Sequence, residues 1–382
     1  MICLAGLPFA NFLDRRVDPW HGQNAWLHGW MVLLGAWSLA GSQRQTRGNP
    51  PLAWWLIWVL GCGWWTFIQT IAQNKEYSLV VLMPLVHMLI IALAYQAAQR
   101  CWTADGLTRL ITAICVSCAV MMGYSFLQMA NLDQFFVSID KQSPHDLVVG
   151  TVGNPSHFSA YLAFCLPLLL LQRGWGWRML TGVNVGLLSY LVIVNASVGG
   201  AISAWAALLW CAWHWNRRWV VGLIVVALAA VGYAGWHPAL LNPQGRWQAW
   251  AAFWHIFSDP RGHPITGFGP GFVLHLSQTI TSHSSPIFQW RHVHQEYFQI
   301  AIEYGIIGLG LTIWALWDWA QTIRRLPKTP LVVALGGVWV AFLTNSLVSW
   351  PAHLWVLGSF GVLAYAGIYA LRNEEIAWPS KL

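Results

Sequence analysis

Apolar residues run through this chain in long blocks, separated by short connections that carry most of the charge. A helix needs about 20 mainly apolar residues to cross the hydrocarbon of a bilayer. Blocks of that kind fall at 25–41, 52–72, 78–98, 107–129, 157–172, 177–195, 198–215, 219–236, 295–318, 330–349 and 353–371, and residues 1–13 offer a short twelfth. The pattern predicts an all-α, polytopic helical membrane protein with about 11–12 transmembrane helices. No polar stretch is large enough to be a soluble domain, so residues 1–382 read as a single membrane domain. One interruption stands apart, a long loop over 237–294. Within it Trp247, Trp250, Phe253, Trp254 and Phe257 recur at helical spacing, which predicts a short amphipathic helix on the membrane surface. Asp259-Pro260 ends that helix, and Pro264 with the run Gly267-Phe268-Gly269-Pro270-Gly271 keeps the next part non-helical.

Composition sharpens this picture. The chain is 57% hydrophobic and 9% charged, against about 25% charged in soluble domains. So few charges exclude a water-soluble globule and leave lipid as the solvent of most of the surface. Many of the 29 Trp stand at the ends of apolar blocks, among them Trp20, Trp26, Trp54, Trp55, Trp175, Trp177, Trp215 and Trp219, as in an interfacial aromatic belt. The net charge of +7 would raise nucleic acid as a partner in a soluble protein, but here the basic residues sit mostly in short connections. They report topology, so membrane lipids and not nucleic acid are the expected surroundings.

Thirteen of the 20 Lys and Arg fall on one set of alternating connections, from Arg44 to Lys381, and seven on the other. That bias places both termini in the cytoplasm, and the loop at 237–294 on the outer face of a cytoplasmic membrane together with the segment at about 130–156. Residues 1–13 lack the basic start and small-residue site of a cleaved signal. All seven Cys lie in or beside apolar blocks, and Cys115 and Cys118 read as packing residues. This argues against a disulfide scaffold or a thiolate metal site.

The outer loop is where chemistry concentrates. It holds seven of the 14 His, with Arg246, Arg261 and Arg291, and a single acid, Asp259. Guanidinium groups grip phosphate oxygens through a planar fork of donors. Imidazole titrates near neutrality and can take a proton from a hydroxyl. Together they point to transfer to or from a phosphate-linked group, with contact to lipid headgroups as the alternative for any one Arg.

Four short motifs then occur in order. His294-Gln295 is followed after nine residues by Gly305-Ile306-Ile307-Gly308. Upstream stand Gly245-Arg246-Trp247 through Trp250, and Gly267-Phe268-Gly269. Further upstream, Gly150-Thr151-Val152-Gly153-Asn154-Pro155-Ser156-His157 leads into an apolar block. Over about 150–320 this resembles the O-antigen ligase and O-antigen polymerase superfamily. The chain departs at Asn195-Ala196-Ser197-Val198-Gly199-Gly200, where relatives often carry Ser-Arg-Gly and Val198 stands in the place of the Arg.

The resemblance implies a metal-independent, inverting glycosyltransferase that uses no cofactor. Its donor would be a polyprenyl-diphosphate-linked glycan, and its acceptor a hydroxyl on lipid A core, another glycan or a protein. A ligase is the first expectation; a polymerase or a protein O-oligosaccharyltransferase shares the motifs. His294 is expected to be the catalytic base, and Arg246, with Arg291, to hold the diphosphate. Asn154, His157, Gly267 and Gly269 are expected to line the substrate cavity. The H-x-H-x-E run of His292, His294 and Glu296 would suit metal only in a strand, because a helix puts His294 and Glu296 about 200° apart. Glu296, Gln299 and Glu303 form a separate polar stripe, read as contacting a neighbouring helix or the donor path. Gly305, Gly308 and Gly310 read as helix packing. A transporter would instead need ionisable groups near midplane and an inverted repeat.

Overall fold

The computed structural model describes residues 50–73, 92, 95–99, 102–130, 132, 148–195, 197–218, 220–225, 246–259, 263–279 and 292–377. The blocks at 25–41, 78–98 and 219–236, residues 1–13, most of 130–156 and Arg291 lie wholly or largely outside them. Among the described residues the protein is all-helical.

The helices are α1 (Pro50–Gln73), α2 (Ala104–Met129), α3 (Pro155–Leu171), α4 (Trp175–Asn195), α5 (Val198–Trp215), α6 (Arg246–Ser258), α7 (Phe272–Thr279), α8 (Glu296–Arg325), α9 (Pro330–Asn345) and α10 (Trp355–Ala377). A 3-10 turn at Pro351–His353 joins the last two. Three of these, at Ala104–Met129, Trp175–Val194 and Glu296–Arg325, are long and apolar enough to cross a membrane. Large apolar side chains point outward from them, including Val120, Ile193, Ile313 and Trp317. Water would penalise such surfaces, whereas lipid does not.

The hub is α3, which packs against α4, α5 and α9. It is apolar on every side, and all of Phe158–Leu169 is buried, as expected of a helix with no polar face. Tyr161 and Phe164 meet Phe360 of α10 edge-on, with centroids 5.6 and 5.8 Å apart. Small residues let the backbones approach: Gly200 of α5 lies against Ser159, and Gly337 of α9 against Pro167. Cys115, Cys118, Cys165 and Cys211 are buried as free thiols.

Predicted and observed helices coincide for most described blocks. The differences have local causes. The helix expected at 295–318 continues to Arg325, where Leu326-Pro327 stops it. The one expected to reach 349 ends at Asn345, capped by Ser346. Helix α7 was not expected, because the preceding Gly and Pro residues suggested continued loop.

At one end of the bundle, α6 and α7 pack onto the start of α8 through Ala249, Phe253, Val273, Val293 and Ile302. Helix α8 is broken at Gly305, whose φ of 70° and ψ of −173° suit glycine alone. The break frees backbone groups, and the loop before α7 takes them up. Phe268 N–H donates to Ile302 O (2.9 Å) and Gly269 N–H to Glu303 O (2.9 Å). Ile306 and Ile307 N–H donate to Pro264 and Ile265 O at 2.9 and 3.3 Å. A Cβ at Gly305 would strike the Ile265 carbonyl, and one at Gly267 would strike the Glu303 carbonyl. The two glycines are therefore reciprocal halves of one latch. The Glu303 carboxylate completes it by accepting the Gly271 and Val273 N–H groups at the start of α7.

Candidate functional site

The site is built on two turns, 292–295 before α8 and 346–353 between α9 and α10. Glu296 N–H donates to Ser346 O at 2.9 Å and holds the turns together. Val293 is pinned on both sides: Trp250 Nε1 donates to its carbonyl (2.8 Å), and its N–H donates to Gln299 Oε1 (3.2 Å). Gln295 caps α8 by accepting the Phe298 N–H.

His294 takes the bend. Its φ of 56° is the one positive value at a non-glycine residue among the described residues. Such backbone costs about 1–3 kcal/mol and persists where the surroundings impose it. Because α8 begins at Glu296, His294 lies outside the helix. The helical-phase argument against a metal therefore does not apply to it. Among the described residues, no three His, Cys, Asp or Glu side chains gather as metal ligation would need.

Trp350 is the centre of the cluster. Its indole Nε1 donates to His294 Nδ1 at 3.1 Å. His157 meets its ring edge-on at 5.4 Å, and His292 stacks on it at 4.0 Å. Indole is only a donor, so the neutral His294 ring accepts at Nδ1 and carries its proton on Nε2. Burial, then the Arg246 guanidinium, then His157 hold the His294 pKa down to about 3. Arg246, at the first residue of α6, donates through Nη1 to Val348 O. Its Nε is buried without a hydrogen-bond partner among the described residues. Arg246 acts electrostatically on both His157 and His294, so the fold brings these three residues together.

The same turn passes Val198's neighbourhood. A Cβ on Gly199 would lie 3.2 Å from Asn345 Nδ2 and 3.5 Å from Val348 Cγ2. Arg246 thus brings its charge to the carbonyl of a residue that packs beside the start of α5.

Beyond His292 lies a second polar group. His353 Nδ1 is 3.2 Å from Glu296 Oε2, and Ala352 N–H donates to Glu296 Oε1 at 2.7 Å. Gln299 Nε2 reaches His353 Nε2 (3.3 Å), His292 Nδ1 (3.4 Å) and Glu303 Oε1 (3.2 Å). Burial is the largest influence and works against a charged His353, but the charge and hydrogen bond of Glu296 together with the Glu303 charge outweigh it and the pKa is raised. These groups head a cavity of about 280 Å³ whose walls are otherwise apolar, including Leu52, Trp55, Trp339 and Tyr365.

The other expected site residues have different positions. Asn154 caps α3, its carboxamide oxygen accepting Ser156 N–H (2.8 Å) and His157 N–H (3.3 Å). Gly267 and Gly269 belong to the latch on α8 and meet backbone there. Glu303 contacts a neighbouring helix, as its place in the polar stripe suggested. His353 and Trp350 escaped sequence reading because they stand in a short connection between two apolar blocks. The break at Trp350-Pro351 was the one local signal.

Fold and site together define an all-helical protein with membrane-length apolar helices and a buried Arg–His cluster at one end. No family model matches the chain, and no curated protein matches it.

Proposed function

We propose that the protein is a membrane glycosyltransferase that moves a glycan from a polyprenyl diphosphate carrier to an acceptor hydroxyl. The observation that carries this reading is the convergence of Arg246, His157 and His294 on the turn around Trp350. Among the described residues Arg246 Nε is a buried donor with no hydrogen-bond partner, and His294 carries its proton on Nε2, so both groups suit an anion. A diphosphate leaving group is such an anion, and donors already aimed at its oxygens stabilise the charge that develops there.

In this reading the protein spans the cytoplasmic membrane, with the 237–294 loop on the periplasmic face, as the Lys and Arg bias indicates. The mechanism is metal-independent and inverting. Lipid A core is the favoured acceptor, with another glycan or a protein hydroxyl as the alternatives. The test is reconstitution of the purified chain in nanodiscs with a polyprenyl-diphosphate-linked oligosaccharide and each acceptor in turn. Glycosylated acceptor formed in the presence of chelator is the expected result. Movement of intact donor across the bilayer without any product would refute transfer in favour of transport.

A further inference from the structure

Within that proposed reaction, we infer that His353, positioned by Glu296, accepts the proton of the attacking hydroxyl, while His294 serves the departing phosphate. The inference rests on the glycosyl-transfer reading and divides its proton chemistry between two imidazoles.

Three observations separate the rings. The first is hydrogen bonding. His294 Nδ1 already accepts from Trp350 at 3.1 Å. Proton uptake there requires Trp350 to leave, and uptake at Nε2 requires a tautomer that sets donor against donor. His353 has the opposite arrangement. Its Nδ1 faces the Glu296 carboxylate at 3.2 Å, and that carboxylate is fixed by Ala352 N–H at 2.7 Å. Such an orienter holds the proton on Nδ1, leaves Nε2 as the basic atom and stabilises the imidazolium that follows. Gln299 lies 3.3 Å from Nε2 and also reaches His292 Nδ1 at 3.4 Å. Its amide hydrogen can therefore pass to His292 when His353 becomes charged.

The second is charge. Arg246 acts on His294 and His157, whereas the charges acting on His353 are those of Glu296 and Glu303. A cation beside a ring disfavours proton uptake, and a carboxylate favours it.

The third is placement. An inverting displacement brings the nucleophile to the face opposite the leaving group, so base and leaving-group site stand a sugar's width apart, about 6.5–9.5 Å in hydrolases of that kind. His294 belongs with Arg246, the leaving-group side. His353 belongs with Glu296 on the turn before α10; its ring centroid is 6.5 Å from Trp350 against 5.5 Å for His294, and it keeps 28% of its side-chain surface, lining the cavity.

In the step itself, the acceptor O–H proton passes to His353 Nε2 as the oxygen bonds to the anomeric carbon. The carbon–oxygen bond to phosphate breaks with its electron pair, and Arg246 and His294 Nε2–H meet the diphosphate charge. His353 then releases its proton to water.

The experiment compares purified variants in nanodiscs, with a fluorescent polyprenyl-diphosphate-linked oligosaccharide as donor. Among the described residues the charged and imidazole groups facing His353 are Glu296 and Glu303 from α8 and His292 from the preceding turn, so the pH profile is read in each variant. His353→Gln should lower kcat by about 10²-fold or more while donor Kd stays within twofold. Glu296→Gln keeps an acceptor for Ala352 but removes the charge, so the acid limb of kcat should move to lower pH; Glu296→Asp should restore it in part. His294→Gln should lower kcat through the leaving group but leave the acid limb of the pH profile in place. Wild-type kcat in His353→Gln, or an unmoved limb in Glu296→Gln, overturns the assignment alone. A wild type that turns over no polyprenyl-diphosphate donor overturns the glycosyl-transfer reading with it. Thermal melts of each variant identify any that fail to fold, and for those His353→Asn gives the reading on kcat.

Discussion

Replacing Gly305 with alanine should release the outer loop from α8. The residue sits at φ 70° and ψ −173°, a region essentially reserved for glycine, and an alanine forced there costs about 1–3 kcal/mol in strain. Its methyl would also strike the Ile265 carbonyl and come within 2.6 Å of Gly267 N. Backbone on both sides of the contact leaves no flexible side chain to yield. The loop must back away, and with it go the four backbone hydrogen bonds that tie residues 264–269 to 302–307. At about 0.5 kcal/mol each, the low end of the range for a hydrogen bond, losing the four together with about 1 kcal/mol of strain weakens docking by roughly 3 kcal/mol. That corresponds to about 10²-fold faster opening, readable as hydrogen exchange at the Phe268 and Gly269 amides. Exchange at core amides of α3, such as Tyr161 and Leu162, should not change. Transfer activity should fall as well, since α6, which carries Arg246, rests on the same face of α8. Unchanged exchange at Phe268 and Gly269 in a folded Gly305→Ala protein would refute the latch.

Other consequences follow from the same geometry. His294 has its pKa held down to about 3, below the ordinary value of about 6.5 for an unfolded chain. A ring depressed in the folded state contributes stability that is present above pH 6.5 and lost as pH falls towards 3. His294→Asn should therefore flatten acid unfolding across that window, measured by tryptophan fluorescence. Inorganic diphosphate bound at Arg246 should raise the His294 pKa, so its affinity should increase as pH falls, a trend calorimetry can check and His294→Asn should abolish. Arg246→Lys should lose most transfer, because an ammonium cannot reproduce a planar fork held to Val348 O; activity near wild type would rule out bidentate anion binding. Asn154→Ala should lower stability by about 1 kcal/mol as a lost helix cap with donor KM unchanged, whereas Asn154→Asp should restore it. A raised KM in a fully stable Asn154→Ala would place that residue in the substrate cavity as well.

Helix-forming blocks were legible in the sequence because lipid imposes a one-dimensional rule: about 20 apolar residues in a row, whatever the neighbours. That rule located α1, α2, α4 and α5 to within a few residues. The clustering of Arg246, His157 and His294 was expected only through motif order, since their separation along the chain carries no distance. Tertiary structure decided the rest. It turned Asn154 into a cap, and Gly267 and Gly269 into a latch, because an apolar end of a bundle must satisfy every backbone group it encloses. It brought Trp350 and His353 into the cluster from a connection with no pattern of its own. It also set the two imidazoles against opposite charges, His294 beside Arg246 and His353 beside Glu296. Periodicity reports which residues avoid water; which proton a ring holds depends on the atoms a few ångströms away, and those come from distant parts of the chain.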